Sequence, residues 1–201
     1  MKIRSVEFAG TVVDSRAPLP GEFPQIAFAG RSNVGKSSLI NVLLERTQKK
    51  IAKVSGTPGK TQGLNFYRVN DRFFLVDLPG FGFASVPRPV RDSWRKLVDG
   101  YLARPDGPIA VVQLVDIRRD PTDDDLRMLD QLADAGIPAL IVLTKMDKLS
   151  ASQGARKVTE LTKGLKLDAE QVVPFSSKTG LGREILLDAI SGLLETEEGG
   201  E

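Results

Sequence analysis

Apolar residues along the chain fall into short runs rich in β-branched and aromatic side chains, and the segments between them repeat apolar positions every three or four residues. Such runs predict strands, and such segments predict helices. The predicted strands cover residues 25–29, 66–69, 72–77, 109–116, 138–144 and 172–176, and the predicted helices cover residues 37–46, 90–102, 121–136 and 182–194. This alternation is typical of α/β proteins, so we predict a mostly parallel sheet with helices on both faces.

A hairpin and a tail complete this outline. The sequence FYRVNDRFFLVD, residues 66–77, predicts a hairpin with Asn70 and Asp71 as its two-residue turn. The chain contains no internal repeat and no low-complexity linker, so we expect a single domain over residues 1–195. The final TEEGGE is acidic and contains glycine, and we expect residues 196–201 to form a disordered tail.

The composition narrows the chemistry that the chain could perform. Its 201 residues include no cysteine and no histidine, which excludes a disulfide framework, a thiolate nucleophile, a cysteine zinc site and a histidine base. Catalysis would therefore depend on carboxylates, lysines, hydroxyls, backbone amides or a hard metal ion. No apolar stretch approaches the ~20 residues of a membrane span, and the N-terminus lacks the apolar core of a secretion signal, so we expect a cytoplasmic protein without membrane contact.

Charge is distributed unevenly, although the net charge is only +2. Residues 1–100 carry 16 Lys and Arg against 8 Asp and Glu, whereas residues 101–201 carry 12 against 18. One interpretation is chance scatter over a solvated surface. The other is an anionic partner, such as nucleic acid, that faces the N-terminal half. The asymmetry alone does not decide between them.

The segment GRSNVGKS, residues 30–37, lies between a predicted strand and a predicted helix. It matches the phosphate-loop pattern G-x-x-x-x-G-K-[S/T] in the context that this pattern requires. Gly30 and Gly35 permit backbone torsions that turn successive N–H groups toward phosphate oxygens, and the following helix adds its positive end. Lys36 would neutralise the β- and γ-phosphates, and the Ser37 hydroxyl would coordinate Mg²⁺, which suits a site built from oxygen ligands.

A second motif, DLPG, begins with the last residue of the strand predicted over residues 72–77. Because ligands bind at the carboxyl ends of parallel strands, we expect Asp77 beside the phosphate loop, where it would hold Mg²⁺ through a water molecule. The turn that Pro79 begins would free the Gly80 N–H to sense the γ-phosphate.

Two further motifs, TKMD at residues 144–147 and SSK at residues 176–178, lie at the ends of the fifth and sixth predicted strands. The Asp147 carboxylate could accept hydrogen bonds from guanine N1–H and the 2-amino group, whereas adenine would leave it unpaired, a difference that can reach ~10⁴–10⁵ in specificity. The Lys145 stem would pack on the base, and the Ser177 N–H would bond guanine O6. In this order behind a phosphate loop, the motifs indicate GTP as the ligand.

Together these motifs resemble one family. GRSNVGKSSLIN, TPGKTQGLNFY, VDLPGFGFA, LTKMDK and FSSKTG are similar to segments of the EngB (YihA/YsxC) family of bacterial GTPases, within the TrmE-Era-EngA-EngB-Septin-like superfamily. The resemblance extends from about Arg4 to Leu194. It implies a Ras-like fold with a six-stranded sheet, dependence on Mg²⁺, and a role as a monomeric switch in assembly of the large ribosomal subunit that is needed for cell division and septation.

The resemblance also implies roles for individual residues. Ser37 and Thr61 would coordinate Mg²⁺, with Asp77 reaching the ion through water. Residues 59–63 would form one nucleotide-sensing loop, which orders around GTP and relaxes after hydrolysis. Residues 77–80 and the following FGFASVPR, residues 81–88, would form the other. The expected catalytic residues are Lys36 and Thr61, and the expected GTP-binding residues are Gly30, Arg31, Ser32, Asn33, Val34, Gly35, Lys36, Ser37, Gly59, Lys60, Thr61, Gln62, Gly63, Asp77, Leu78, Pro79, Gly80, Thr144, Lys145, Met146, Asp147, Phe175, Ser176 and Ser177.

One position departs from the pattern of Ras-like enzymes. Phe81 stands near the place where these enzymes carry a glutamine that orients the attacking water, and a phenyl ring can neither orient nor deprotonate water. In one interpretation, Phe81 is a packing or partner-contact residue and the isolated protein hydrolyses GTP slowly. In the other, Asn33 binds a K⁺ ion beside the β- and γ-phosphates and so stabilises the transition state. Asn33 could equally serve only to stabilise its loop.

We therefore expect a GTPase that binds GTP and GDP with Mg²⁺ and whose partner is a precursor of the large ribosomal subunit, contacted through ribosomal RNA or proteins. The basic segments at residues 49–53 and 88–96 would then face RNA phosphates. Two alternatives remain open. One is a non-hydrolysing GTP-sensing module that recruits a cell-division partner, and the other is a GTPase partnered with tRNA-modifying machinery.

Overall fold

The computed structural model describes residues 1–45, 63–82 and 87–198. Within these ranges the chain forms seven strands, five α-helices and two short 3₁₀ helices, Met146–Lys148 and Ala169–Gln171. The strands are β1 (Val6–Val12), β2 (Gln25–Gly30), β3 (Leu64–Val69), β4 (Phe73–Asp77), β5 (Ala110–Asp116), β6 (Ala139–Thr144) and β7 (Val172–Pro174). The helices are α1 (Lys36–Leu43), α2 (Arg88–Leu102), α3 (Asp123–Asp134), α4 (Ala151–Gly164) and α5 (Arg183–Glu198).

The strands join one sheet in the order β1-β3-β4-β2-β5-β6-β7. β2 pairs in parallel with β4 and β5, and the β5–β6 and β6–β7 pairs are also parallel, whereas β3 is antiparallel to β1 and β4. The predicted α/β class and mostly parallel sheet are confirmed. The sheet has one strand more than the expected six, because β1 adds to the edge beside β3. The alternation of apolar and polar side chains in β1 is disrupted by a register shift between Phe8 and Gly10 and by an exposed Phe8. This strand was therefore not predicted from the sequence.

The predicted hairpin is present between β3 and β4, with Val69 opposite Phe73. Asn70 and Asp71 have φ of 53° and 51°, and the Arg72 N–H donates to the Val69 carbonyl at 3.0 Å. Positive φ at both central residues is the type I′ turn that matches the twist of paired strands. The turn therefore forms at the two residues that the sequence indicated.

The sheet buries apolar side chains on both faces. On one face, α1 and α5 cover a core that includes Phe28, Leu39 and Leu186. On the other, α2 and α3 cover a core that includes Phe66 and Tyr101. All six residues of β2 are buried, as expected for a central strand with helices on both sides. Within the described ranges, no helix combines the length and apolar character needed to cross a membrane.

Helix α3 has residues typical of helix termini at both of its ends. It begins after Thr122, which forms a capping box with Asp125. Its C-cap is Ala135, and Gly136, the last residue of the predicted range, follows with φ 66°. A glycine in this left-handed conformation satisfies the geometry of a helix C-terminus without a Cβ clash.

Two helices differ from expectation. Helix α4 was not predicted, because its inner face buries only Gly154 and Leu161, too few apolar positions to reveal a helical period. It begins in a capping box at Ser150. Helix α5 continues to Glu198, into the segment expected to form a tail, and residues 199–201 lie outside the described part of the chain.

Candidate functional site

The carboxyl ends of the parallel strands bring the predicted motifs to one edge of the sheet. β2 leads directly into the phosphate loop at residues 30–37. β4 ends at Asp77, which lies opposite Phe28 of β2. β6 ends at Thr144, and Phe175 follows β7. Motifs that are separated by more than a hundred residues in sequence therefore face one site, as the topology of α/β sheets predicts.

The phosphate loop has the backbone form that its glycines predicted. Gly35 has φ 106° and forms the N-cap of α1, with no side-chain cap. An N-terminus of this kind leaves its first N–H groups available to bind an anion. A Cβ at Gly30 would lie 3.1 Å from Leu114 Cβ and Val34 Cγ1, which makes glycine the residue that fits there. Asn33, at φ 62°, is exposed. The loop can therefore wrap around phosphate oxygens.

A buried ion pair forms the floor of this loop. The Lys36 ammonium donates to the Asp77 carboxylate, and the two residues are 8% and 2% exposed. A buried charge is stable only when it has a partner, so each of these two groups holds the other in place. The groups expected to bind phosphate and Mg²⁺ are thus in direct contact.

The oxygen donors at this floor fit Mg²⁺. Ser37 is half-buried one residue after Lys36, and Asp77 supplies a carboxylate. In the part of the chain that the structure describes, no group of three or more acidic, histidine or cysteine side chains could hold a metal by itself. A hydroxyl and a carboxylate, completed by phosphate and water oxygens, form the kind of ligand set that Mg²⁺ prefers beside nucleotides.

Part of the predicted site lies outside the described residues. This holds for Gly59, Lys60, Thr61 and Gln62 of the first nucleotide-sensing loop and for the basic segment at residues 49–53. Gly63, the last residue of that loop, is buried before β3, where a Cβ would lie 2.6 Å from the Val12 carbonyl oxygen.

The DLPG segment is joined to the phosphate loop through its backbone. The Ser32 N–H donates to the Phe81 carbonyl at 2.9 Å, and the Phe81 N–H donates to the Gly30 carbonyl at 3.4 Å. Gly80 lies close to this connection, since a Cβ there would be 3.4 Å from the Ser32 nitrogen. The Phe81 side chain is half-buried and packs against the core on the α2–α3 face. This contact is what the packing interpretation of Phe81 expects.

The motifs predicted to read the base meet at the ends of β6 and β7. Ser176 Oγ donates to Asp147 Oδ1 at 2.8 Å, and the Met146 N–H donates to the Phe175 carbonyl at 3.1 Å. The Ser176 hydrogen bond lowers the pKa of Asp147, so this carboxylate is ionised at neutral pH. Ser177 follows at a half-buried position. An oriented, ionised carboxylate is an acceptor of the kind that guanine N1–H and the 2-amino group require.

Two residues connect the segment predicted to read the base to the phosphate loop. Thr144 Oγ1 donates to the Val34 carbonyl at 2.7 Å. Lys145, at φ 65°, donates from Nζ to the Asn33 carbonyl at 2.6 Å. The side chains expected to hold the base and the loop expected to hold the phosphates therefore share direct hydrogen bonds.

Sequence reasoning missed Asp116 and Arg118. Asp116 Oδ2 accepts from Lys145 Nζ at 2.9 Å, and Arg118 holds the same carboxylate with bonds of 2.9 and 2.7 Å from Nε and Nη2. Burial opposes ionisation of Asp116, but the hydrogen bonds from Arg118 and Lys145 outweigh it and hold its pKa well below the ordinary value. Asp116 ends an apolar run, as Asp77 does, and this was the signal that could have found it.

Helix α2 carries the arginines of the second basic segment, and the structure gives two of them acidic partners. Arg88 Nε lies 3.9 Å from Asp92 Oδ2, and Arg95 Nη2 lies 3.5 Å from Asp124 Oδ1 on α3. This surface is therefore less uniformly basic than the sequence of residues 88–96 suggested.

The fold and the site define the class of protein: a phosphate-loop GTP-binding protein with a Ras-like α/β domain. A family profile described as "50S ribosome-binding GTPase" matches residues 25–145. The chain belongs to the EngB family of GTP-binding proteins. The probable GTP-binding protein EngB of Gemmatimonas aurantiaca is 48% identical over 195 residues, covering 96% of this chain and 95% of that protein. The corresponding protein of Halothermothrix orenii is 45% identical over 203 residues, covering 99% and 100%.

Solved structures agree with this assignment. A crystal structure of a probable GTP-binding protein engB superposes with a TM-score of 0.70 at 25% identity, covering 86% of this chain and 99% of that one. Aquifex aeolicus Era bound to GDP.AlF4⁻ superposes with a TM-score of 0.66 at 21% identity, covering 87% and 57%. The second match shows a shared fold.

Proposed function

We propose that the protein binds GTP with Mg²⁺, hydrolyses it slowly to GDP and phosphate, and acts as a monomeric cytoplasmic switch in assembly of the large ribosomal subunit, a role needed for normal cell division. The observation that carries GTP binding is the convergence of the phosphate loop, the Lys36–Asp77 pair and Asp147 at one sheet edge. The ribosomal role is supported by the family description, which names 50S ribosome binding.

The residue roles that we propose are those predicted from the sequence. Residues 30–37 bind the phosphates through backbone N–H groups, and Lys36 turns from Asp77 to the β- and γ-phosphates. Lys145 and Asp147 hold the guanine base, with the Ser177 N–H on O6. The remaining GTP-binding residues are those predicted from the sequence, including Gly59, Lys60, Thr61, Gln62, Gly63, Leu78, Pro79, Gly80 and Phe175.

The metal ligands that we propose are those predicted from the sequence. Ser37 and Thr61 would hold Mg²⁺ directly, and Asp77 would hold it through water. When bound, Mg²⁺ would neutralise charge on the β- and γ-phosphates. When Lys36 turns to the phosphates, the hydrated Mg²⁺ would replace it as the partner of Asp77, so the buried carboxylate would keep a positive partner. This supports the assignment of Asp77.

Slow hydrolysis follows from the position of Phe81. Its ring packs into the core face under α2 and α3 and offers no atom that could orient water. We propose that a second cation compensates, with K⁺ held near the phosphates by Asn33, whose exposed side chain sits on the phosphate loop.

The test is GTP turnover by the purified protein in KCl and in NaCl, with and without large ribosomal subunits at moderate salt. Stimulation by subunits supports the assembly switch, and stimulation by KCl that Asn33→Ala abolishes supports the K⁺ site. Equal turnover in both salts removes the K⁺ proposal. Tight GTP binding without turnover or stimulation favours the GTP-sensing module that recruits a division partner.

A second test concerns the RNA surface. We propose that the segment containing Lys49, Lys50 and Lys53 faces ribosomal RNA phosphates, so binding to the large subunit should weaken steeply with salt. Reversal of these three lysines to glutamate should lower affinity for the subunit and leave GTP affinity intact. Unchanged subunit binding would remove this surface from the account.

A further inference from the structure

A cavity of about 320 Å³ lies between α2, α3 and the segment that follows Asp77, beside the predicted nucleotide site, with which it shares Leu78, Pro79 and Gly80. Its lining includes the buried apolar side chains of Ala29, Leu78, Val98 and Met128. A volume of this size accommodates one large apolar side chain with a small polar group, and it is at the lower end of the range for specific ligand pockets.

The rim of this cavity carries charged side chains that form weak, partly exposed ion pairs. Arg95 pairs with Asp124 at 3.5 Å and Arg127 pairs with Asp99 at 3.6 Å, and both pairs cross from one helix to the other. All four side chains are 39–50% exposed, and ion pairs of this kind contribute little to stability. They can therefore exchange partners when a new charge arrives.

Arg91 adds an uncompensated charge to this rim. It lines the cavity and has no acidic partner among the described residues, whereas Arg88, Arg95 and Arg127 each have one. The lining thus has one arginine more than it has aspartates, an excess that a single carboxylate would neutralise.

We propose that this cavity is a docking site for a protein segment that presents a large apolar side chain beside one carboxylate, supplied by a ribosomal protein of the large-subunit precursor; the proposal rests on the ribosomal role proposed above. The apolar side chain fills the cavity, and the carboxylate pairs with Arg91. Phe81, Trp94 and Met128 line it together with the arginines, and these are residue types that concentrate binding energy at protein interfaces.

The mixed charge of the rim favours protein over RNA as the occupant. Asp92, Asp99 and Asp124 all line the cavity. A run of RNA phosphates laid across them would meet three carboxylates, whereas a segment with one carboxylate can reach Arg91 without that repulsion.

The cavity shares a wall with the nucleotide site, so its occupant is linked to the bound nucleotide. Gly80, Phe81 and Gly82 line the cavity, and the Phe81 backbone exchanges hydrogen bonds with Ser32 and Gly30 of the phosphate loop. A nucleotide that moves this segment reshapes the cavity, and by reciprocity an occupant of the cavity changes nucleotide affinity by the same factor.

The first test places a photo-crosslinking side chain in the cavity of the full-length protein. Gln131→p-benzoyl-phenylalanine lines the cavity, and Thr159→p-benzoyl-phenylalanine on α4 is the control. Each is irradiated with purified large subunits and precursor particles. A crosslink from position 131 to a ribosomal protein, absent from position 159, is expected. A crosslink to ribosomal RNA, or none although the protein co-sediments, overturns the docking site and leaves the ribosomal role intact.

The second test uses charge reversal. Arg91→Glu should weaken binding to large subunits by ~10-fold or more and leave GTP affinity without subunits unchanged. Arg156→Glu, an exposed helical arginine on α4, is the matched control and should change binding less than twofold, within the usual range for surface substitutions. Equal effects of the two variants would overturn the proposal. Failure of the wild-type protein to bind any subunit particle would overturn both this inference and the ribosomal role.

Discussion

The Asp116→Asn variant tests whether the network behind Lys145 positions it for base recognition. The substitution keeps the shape of the side chain and removes its charge. In the structure both carboxylate oxygens are used, with Arg118 on each of them and Lys145 Nζ on Oδ2 at 2.9 Å. An asparagine offers one acceptor oxygen in place of two, so Arg118 and Lys145 must compete for it.

The expected effect on GTP affinity is moderate. A hydrogen bond between charged groups contributes ~1.5–3 kcal/mol, but Lys145 keeps its second bond, to the Asn33 carbonyl at 2.6 Å. We therefore expect a loss of about 1–2 kcal/mol, which corresponds to roughly 5- to 30-fold weaker GTP binding. Titration with a fluorescent guanine nucleotide measures it. Asp120→Asn, which removes an exposed carboxylate paired with Lys157, is the control and should change affinity less than twofold.

The stability of the same variant should depend on pH. The pKa of Asp116 is lowered in the folded protein, so its ionised form stabilises the fold above the ordinary carboxyl pKa of about 4, and this contribution is lost as the pH falls through the folded value. Denaturant unfolding of wild type and Asp116→Asn should show a difference at pH 7 that shrinks below about pH 4. A GTP affinity within twofold of wild type, or a stability difference that grows on acidification, would refute the network.

Three further predictions concern base reading and backbone geometry. Asp147→Asn should weaken GTP binding by ~100-fold or more and improve binding of XTP, whose base has an oxygen in place of the 2-amino group. A competition assay in which the preference for GTP over XTP does not change would contradict this prediction. Gly182→Ala should destabilise the fold by more than ~2 kcal/mol, because φ is +80° and its Cβ would lie 2.1 Å from the Pro174 carbonyl oxygen. The control Gly192→Ala, in open space within α5, should be neutral or stabilising by up to ~1 kcal/mol. Equal unfolding midpoints of the two variants would contradict this prediction. Arg183→Ala should lower the free energy of unfolding by ~1–2 kcal/mol, because the guanidinium donates hydrogen bonds to two carbonyls at the end of α1. Thermal unfolding measures this loss, with Arg16→Ala at an exposed arginine as the control. Equal melting temperatures of the two variants would contradict the capping role.

The sequence predicted the nucleotide motifs because each of them is local. A phosphate loop needs its glycines, lysine and serine at fixed spacing, and GRSNVGKS supplies them between a strand and a helix. The turn at Asn70 and Asp71 is equally local, since its residue types tolerate positive φ. Parallel strands then place motifs from distant parts of the chain at one edge, so the site could be outlined before its geometry was known.

The features that escaped prediction depend on contacts between distant segments. Asp116 acquires its role only because β5 and β6 pair in register and Lys145 adopts a positive φ. Arg95 looks like part of a basic surface until α2 packs beside α3 and brings Asp124 within 3.5 Å. β1 has too little buried apolar surface to be recognised alone, and it becomes a strand because β3 offers it an open edge.

The most direct test of the proposed switch is co-sedimentation with purified large ribosomal subunits in the presence of a non-hydrolysable GTP analogue or GDP. We predict that the protein pellets with subunits when the analogue is bound and at least ~10-fold more weakly with GDP, because only the triphosphate state would engage both nucleotide-sensing loops. Lys36→Ala, which lacks the phosphate-binding ammonium, should lose this difference. Equal pelleting of the wild-type protein with both nucleotides, or none with either, would contradict the proposed switch.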